Sequence, residues 1–259
     1  MRALLSSLYG LVAYLAFTAS LGWFVAFSGN LLVPKTVDAG GAPGGTLEAL
    51  AVDALLLLLF GVQHSVMARR SFKRWWTRIV PTDLERSTFV VASSLVLVVV
   101  MGLWIPVAAP VVWRVQNAAA VAAIWGLFAL GWVIAMLSTF LLDHFDLFGL
   151  RQSFSGLLKR PAPDSAFRTP LLYRHVRHPL YLGFLLTFWA VPVMTPGHLL
   201  LSLGLTAYIL VGIAFEERDL LLQFGERYRL YRRQVGMLLP RIGGTRRARE
   251  QQTSDGGVR

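Results

Sequence analysis

Long apolar runs alternating with short basic segments dominate this chain. A membrane-crossing helix needs about 20 predominantly apolar residues. Runs of that kind cover roughly 4–27, 47–68, 87–109 and 118–142. Two further apolar arms, roughly 180–195 and 198–215, are shorter and are split by Pro192 and by Pro196-Gly197. The prolines interrupt regular helix, so these arms read as a short or tilted hairpin. The pattern predicts an all-α, polytopic membrane bundle of about six transmembrane segments, or five if the hairpin does not fully cross. After Glu217, Leu220, Leu221, Phe224, Tyr228, Tyr231 and Val235 recur at helical spacing opposite a face of charged residues. This predicts an amphipathic C-terminal helix on the membrane surface or folded over a site. The Gly-rich stretch 28–46 reads as an outer loop, and residues 241–259 as a disordered tail.

Charge fixes the expected orientation. Of 25 Lys and Arg residues, 23 fall in the N-terminal residue Arg2 and the segments 69–86, 143–179 and 216–259. With six crossings all of these lie on one side, leaving Lys35 and Arg114 on the other. Basic residues concentrate on the cytoplasmic side of membrane proteins, so both termini are expected in the cytoplasm, in a bacterial inner membrane. The formal net charge of +11 is thereby assigned to topology and to the anionic head groups of the lipid bilayer rather than to nucleic acid. Trp75 and Trp76 read as interfacial anchors. The run from Ala3 to Phe27 is longer than a signal-peptide core and reads as an uncleaved first span.

Composition narrows the chemistry. The chain has 259 residues, is 55% hydrophobic and 15% charged, and has a mean hydropathy of +0.57. That leaves little room for a separate soluble domain, and residues 1–240 are expected to form one integral-membrane unit. There are no cysteines. Zinc-thiolate sites and a cysteine nucleophile are excluded, and no metal is expected.

Four polar clusters then fall on the cytoplasmic side. They are Gln63-His64-Ser65, the run Asp143-His144-Phe145-Asp146 with Arg151-Gln152 beyond it, Arg177-His178-Pro179, and Glu216-Glu217. No comparable cluster is expected at the outer ends. Ionisable groups converging at one end of a bundle are what an active site opening to the cytoplasm requires. Pro179 suits the first turn of a helix. Arg177 and His178 then sit where the helix dipole favours an anion such as a ligand carboxylate. Gly183 permits close approach of a helix or a ligand.

The run Tyr173-Arg174-His175-Val176-Arg177-His178-Pro179-Leu180-Tyr181-Leu182-Gly183, followed across the hairpin by Glu216-Glu217 and a helix running to Pro240, resembles the cofactor-binding end of the isoprenylcysteine carboxyl methyltransferase and NnrU-like group of membrane methyltransferases. The resemblance extends through Gln63-His64-Ser65, Arg69, Phe72-Lys73, Trp76-Thr77-Arg78, Pro81, Glu85-Arg86-Ser87-Thr88 and His144 to Gln152. These resemble the NnrU-like branch, which includes bacterial enzymes that methylate the sulfur of a small thiol, methanethiol, to give dimethyl sulfide. The resemblance implies S-adenosylmethionine as the cofactor, held by residues 173–240 through Tyr173, His175, Val176, Arg177, His178, Tyr181, Glu216 and Glu217. It also implies an acceptor pocket including His64, Phe145 and Tyr181. Phe145, Phe148, Phe154 and Phe167 are available to close a small pocket.

A thiol must lose its proton to become a good nucleophile. Asp146 or His144 is the candidate base, with Arg151 positioning that carboxylate or stabilising the thiolate. The alternative for Asp146 and Arg151 is a structural ion pair, and for His64 a hydrogen-bonded core histidine. A helix ending near Gly149 brings His144 and Asp146 to one place. Two other readings stay open: methylation of an isoprenylated cysteine or lipid, and a haem-dependent isomerase or redox protein with His64 and His144 as axial ligands.

Overall fold

The computed structural model describes residues 1–41, 45–158 and 167–241. Most of the expected tail, residues 242–259, and part of the 143–179 connector lie outside the described residues. Five helices are long and apolar enough to cross a membrane: α1 (Arg2–Ser28), α2 (Thr46–Ala68), α4 (Thr82–Leu103), α5 (Ala118–Leu142) and α9 (Pro196–Phe224). Between them lie α3 (Arg70–Trp76), β1 (Trp113–Arg114), α6 (His144–Leu147), α7 (Leu150–Leu158), a 3-10 turn (Leu171–Arg174), α8 (Pro179–Trp189) and β2 (Val193–Met194), and α10 (Glu226–Gln234) follows α9. The protein is an integral-membrane, all-α bundle, as the apolar pattern requires: in lipid, a helix satisfies its own backbone polar groups.

The hairpin's first arm is composite. The 11 residues of α8 rise about 16 Å at 1.5 Å per residue, half of a hydrocarbon core. The chain then extends through Pro192 into β2, which pairs antiparallel with β1, Trp113 facing Met194. Val112 N–H donates to Met194 O and Val115 N–H to Pro192 O, both at 2.8 Å. Extended residues advance about 3.3 Å each, so 190–195 cover the remaining thickness. Five helices are thus of spanning length, and α8 with the extended chain after it forms the shorter, proline-broken arm of the hairpin.

One boundary differs from the sequence expectation. The last span does not close at Glu216-Glu217 but continues unbroken to Phe224, and the break comes at Gly225. That residue adopts φ +54, the left-handed region glycine tolerates, so only α10 is a separate amphipathic helix. The fourth span ends at Leu142, as its apolar run predicts, and Asp143 follows it. The Asp143 side chain accepts from Asp146 N–H at 3.1 Å and caps the single turn of α6.

An aromatic core of Phe24, Phe27, Trp104, Phe128, Trp132 and Phe188 fills the centre of the bundle. Leucines such as Leu4, Leu8, Leu15 and Leu55 point outward, as a lipid-facing surface requires. At the inner end α7 lies across α1 and α4. Ser7 donates to Ser153 O at 3.2 Å and Ser87 to Gly149 O at 3.3 Å. The outer end holds a polar cluster that the sequence reading did not expect. Asp38 accepts from Asn30 at 2.7 Å and from the Thr195 hydroxyl, and His198 Nδ1 lies 3.9 Å away. Nearby, Asp53 is fully buried and accepts from Ile105 N–H at 2.9 Å. This cluster ties the 29–41 loop to the start of α9.

Candidate active site

Three of the four polar clusters singled out in the sequence meet around one cavity of about 300 Å³. Its walls come from the end of α5, from α6 and α7, from the segment 167–178, and from α9 and α10. Of the sequence candidates, Asp146, Arg151, Tyr173, Arg177, His178 and Glu216 line it. Asp143, Phe167, Arg168, Leu220, Phe224, Tyr228 and Tyr231 complete the wall.

Glu217 organises the site from behind. Its buried carboxylate receives Arg177 Nε at 2.7 Å, His178 Nε2 at 3.2 Å and Arg232 Nε at 3.2 Å. The Arg177 guanidinium also donates to Val235 O at 2.5 Å and to Arg232 O at 3.3 Å. The backbone repeats the tie. Arg177 N–H donates to Gly236 O at 2.8 Å and His178 N–H to Met237 O at 3.1 Å, and Val176 bridges Gly236 in parallel. The α9 extension, α10 and the start of α8 are thus clamped together. Arg177, read from sequence as open to a ligand carboxylate, is spent largely on this clamp. Tyr181 stands beside His178, their rings 5.6 Å apart, and donates to Glu216 Oε2 at 2.9 Å. It lies next to the cavity lining, not in it. Val176 is buried in the clamp, and His175 is exposed at the end of the 3-10 turn.

On the opposite wall, Arg151 pairs with Asp143 at 2.5 Å, not with Asp146. The ion pair considered for Asp146 is therefore made by its neighbour. Asp146 accepts from Gln152 Nε2 at 3.1 Å. Burial, reinforced by the Asp143 charge and opposed by Arg86 and Arg151, raises the Asp146 pKa above the ordinary carboxylate value. It therefore holds a proton more firmly than a solvated aspartate. Burial also raises the Tyr173 and Tyr228 phenols and pushes Tyr231 up to about 12, so all three remain hydrogen-bond donors at neutral pH.

His144, Phe145 and His64 stand apart from the cavity. His144 is buried with both ring nitrogens engaged: Nε2 is 2.8 Å from Tyr14 Oη and Nδ1 is 2.7 Å from Thr139 Oγ1. Its ring stacks on Phe140 at 4.1 Å. Burial, opposed by Asp143, lowers its pKa. Phe145 is half exposed and packs near Phe140 and His144. Of the four phenylalanines expected to close a pocket, Phe167 alone lines the cavity, and Phe148 instead stacks on Phe17 at 3.9 Å. His64 sits among Phe60, Phe89 and Tyr208, and its Nδ1 has no hydrogen-bond partner among the described residues. The core-histidine alternative thus lacks a bond at that nitrogen. His64 and His144 share no ring neighbour among the described residues, and neither ring nitrogen of His144 is free.

Sequence reasoning missed Asp143, Arg168 and Tyr228 as wall residues. Asp143 was visible in its cluster, but its pairing depends on the turn at the end of α5. Tyr228 fell on an apolar stripe, where its ring counted and its hydroxyl did not.

No sequence profile of a known family matches the chain. No solved structure matches it either. Curated relatives do. The chain is 51% identical over 246 residues to methanethiol S-methyltransferase 2 of Bradyrhizobium diazoefficiens, covering 95% of this chain and 94% of that protein. It is 49% identical over 241 residues to methanethiol S-methyltransferase of Mycobacterium tuberculosis, covering 93% and 98%. Nurim of Sus scrofa is a more distant relative, 32% identical over 213 residues, covering 78% and 74%. Identity of this level over nearly the whole of both chains means that this protein belongs to the methanethiol S-methyltransferase family.

Proposed function

We propose that this protein transfers a methyl group from S-adenosylmethionine to the sulfur of methanethiol, giving dimethyl sulfide. The observation that carries the reading is the near-full-length identity to enzymes named for that reaction. The cavity supports it. Its volume is at the lower end of small-molecule sites, about 300–1,000 Å³, and its wall is chemically divided. Asp143, Asp146 and Glu216 offer acceptors for an amine and ribose hydroxyls. Arg168, exposed and without an ion pair among the described residues, offers a cation for a carboxylate. Phe167, Tyr173 and Tyr231 offer faces on which a purine can stack.

The bound sulfonium supplies an activated methyl group. The residues must align an acceptor sulfur at about 3–3.5 Å and in line with the breaking bond. Asp146 takes the thiol proton as the S–C bond forms, and its raised pKa makes it a stronger base than a solvated aspartate. Asp143 holds Asp146 by capping its turn and holds Arg151 by ion pairing. The Glu217 clamp fixes the opposite wall. Positive sulfonium and negative thiolate neutralise each other in the transition state, so an enclosed, apolar-sided cavity favours the transfer. His144 braces α6 against α1 through Tyr14, and Arg177 acts through the clamp. The unit spans residues 1–240, with both termini and the cavity facing the cytoplasm. The placement of 23 of 25 basic residues supports this orientation, and reporter fusions at residues 2 and 240 test it.

The test of function incubates purified protein with S-adenosylmethionine and methanethiol and measures headspace dimethyl sulfide by gas chromatography. Cofactor-dependent dimethyl sulfide is expected. Cofactor binding without product, together with methylation of a prenylated or lipid acceptor, overturns the acceptor assignment.

A further inference from the structure

Tyr228 is 1% exposed, lines the cavity, and its hydroxyl has no hydrogen-bond partner among the described residues. Buried polar atoms are partnered in the great majority of cases, because an orphan forfeits the hydrogen bonds it made to water. The neighbouring tyrosines follow that rule. Tyr173 donates to Ser138 O at 3.4 Å, Tyr231 to Tyr173 O at 2.6 Å, and Tyr181 to Glu216 at 2.9 Å. The Tyr228 ring needs no hydroxyl for its packing. It meets Phe167 edge-on at 5.9 Å and Tyr231 at 5.8 Å, contacts a phenylalanine makes equally well. Among the residues lining the cavity it is the one whose buried polar side-chain atom is orphaned.

We propose that the Tyr228 hydroxyl is a ligand-binding donor: it hydrogen-bonds an acceptor atom of the methyl donor, and α10 closes the cavity partly through this contact. The assignment rests on the methyltransferase reading above. The phenol is suited to the task. It stays protonated at neutral pH, and α10 reaches the cavity only because the Arg177–Glu217–Arg232 clamp folds it back.

The same orphan makes a structural role separable from a binding role. Tyr228→Phe removes a hydroxyl that bonds nothing among the described residues, so its thermal midpoint without ligand should equal or exceed that of the unaltered chain. Tyr231→Phe removes a made bond, and its midpoint should fall. The full chain in nanodiscs is titrated with S-adenosylhomocysteine by calorimetry. Tyr228→Phe should weaken binding about tenfold, the loss of one hydrogen bond. Unchanged affinity in Tyr228→Phe, with the unaltered chain binding normally, overturns the Tyr228 assignment and leaves the methyltransferase reading intact. A ligand-free midpoint that falls as far as that of Tyr231→Phe makes the hydroxyl a fold contact and also overturns it. Failure of the unaltered chain to bind S-adenosylhomocysteine overturns both readings.

Discussion

Gly183→Ala is expected to destabilise the protein, and the magnitude follows from backbone geometry. Gly183 of α8 lies against α5, and a Cβ there would stand 2.6 Å from Gly131 O, 2.7 Å from Ala135 N and 3.0 Å from Ala135 Cβ. The two closest atoms are backbone, so no side chain can turn away. Ordinary contacts need several tenths of an ångström more, and the helices must separate to give it. Overpacking of this kind costs about 1–3 kcal/mol. Alanine in a helix regains about 0.5–1 kcal/mol over glycine, and less where the unfolded chain stays helical in lipid. The clash outweighs the gain, leaving a net loss of about 0–2.5 kcal/mol, toward the upper end because both close atoms are backbone. Gly126→Ala is the control: it lies in α5, and its Cβ meets nothing within 4 Å. It should be neutral or slightly stabilising. Unfolding of both variants by sodium dodecyl sulfate titration in mixed micelles measures the difference. Equal stabilities for Gly183→Ala and Gly126→Ala would refute the close α5–α8 packing. Because α8 begins at Pro179, directly after the cavity-lining His178, the first variant should also bind cofactor more weakly.

Glu217→Ala should cost about 3–5 kcal/mol, because it strands the buried Arg177 guanidinium without a counter-charge; the same micelle titration reads it, and a loss below 1 kcal/mol would contradict the clamp. Acid should destabilise the fold through His144. Its folded pKa is depressed, so the unfolded state binds more protons as pH falls through about 6.5. Stability is then retained above that pH and lost below it, and His144→Gln should flatten this part of the curve. Arg151→Ala should cost less than about 1 kcal/mol, since its pair with Asp143 is half exposed, whereas Asp143→Ala also removes a helix cap and should cost about 1 kcal/mol more. Comparing the two thermal midpoints checks the ranking.

The spans were legible because lipid imposes a length and a composition on each of them. The inner-side gathering of Asp146, Arg177 and Glu216 was legible because charge in a membrane chain is sparse and its side could be counted. What stayed hidden was pairing over distance. Asp38 meets Thr195 across 157 positions, and neither belongs to a periodic pattern. The outer polar cluster was therefore missed. The composite crossing at α8 was only half visible: its prolines announced a break, but its β-pairing with Trp113 did not show. His64 was grouped with the site because it lies near the inner end of its helix. Which face of α2 it occupies depends on packing against Phe89 and Tyr208. The exchange of partners between Asp143 and Asp146 turns on the single turn of α6 after Leu142, which no periodic pattern in the sequence marks.

The most direct test of the account pairs turnover with binding in Asp146→Asn. The variant keeps the size of the side chain and removes its basicity. It should bind S-adenosylhomocysteine as the unaltered chain does and make dimethyl sulfide at least about 100-fold more slowly, the usual scale of a lost general base. Turnover equal to that of the unaltered protein, with binding intact, would contradict the assignment of proton removal to this wall of the cavity.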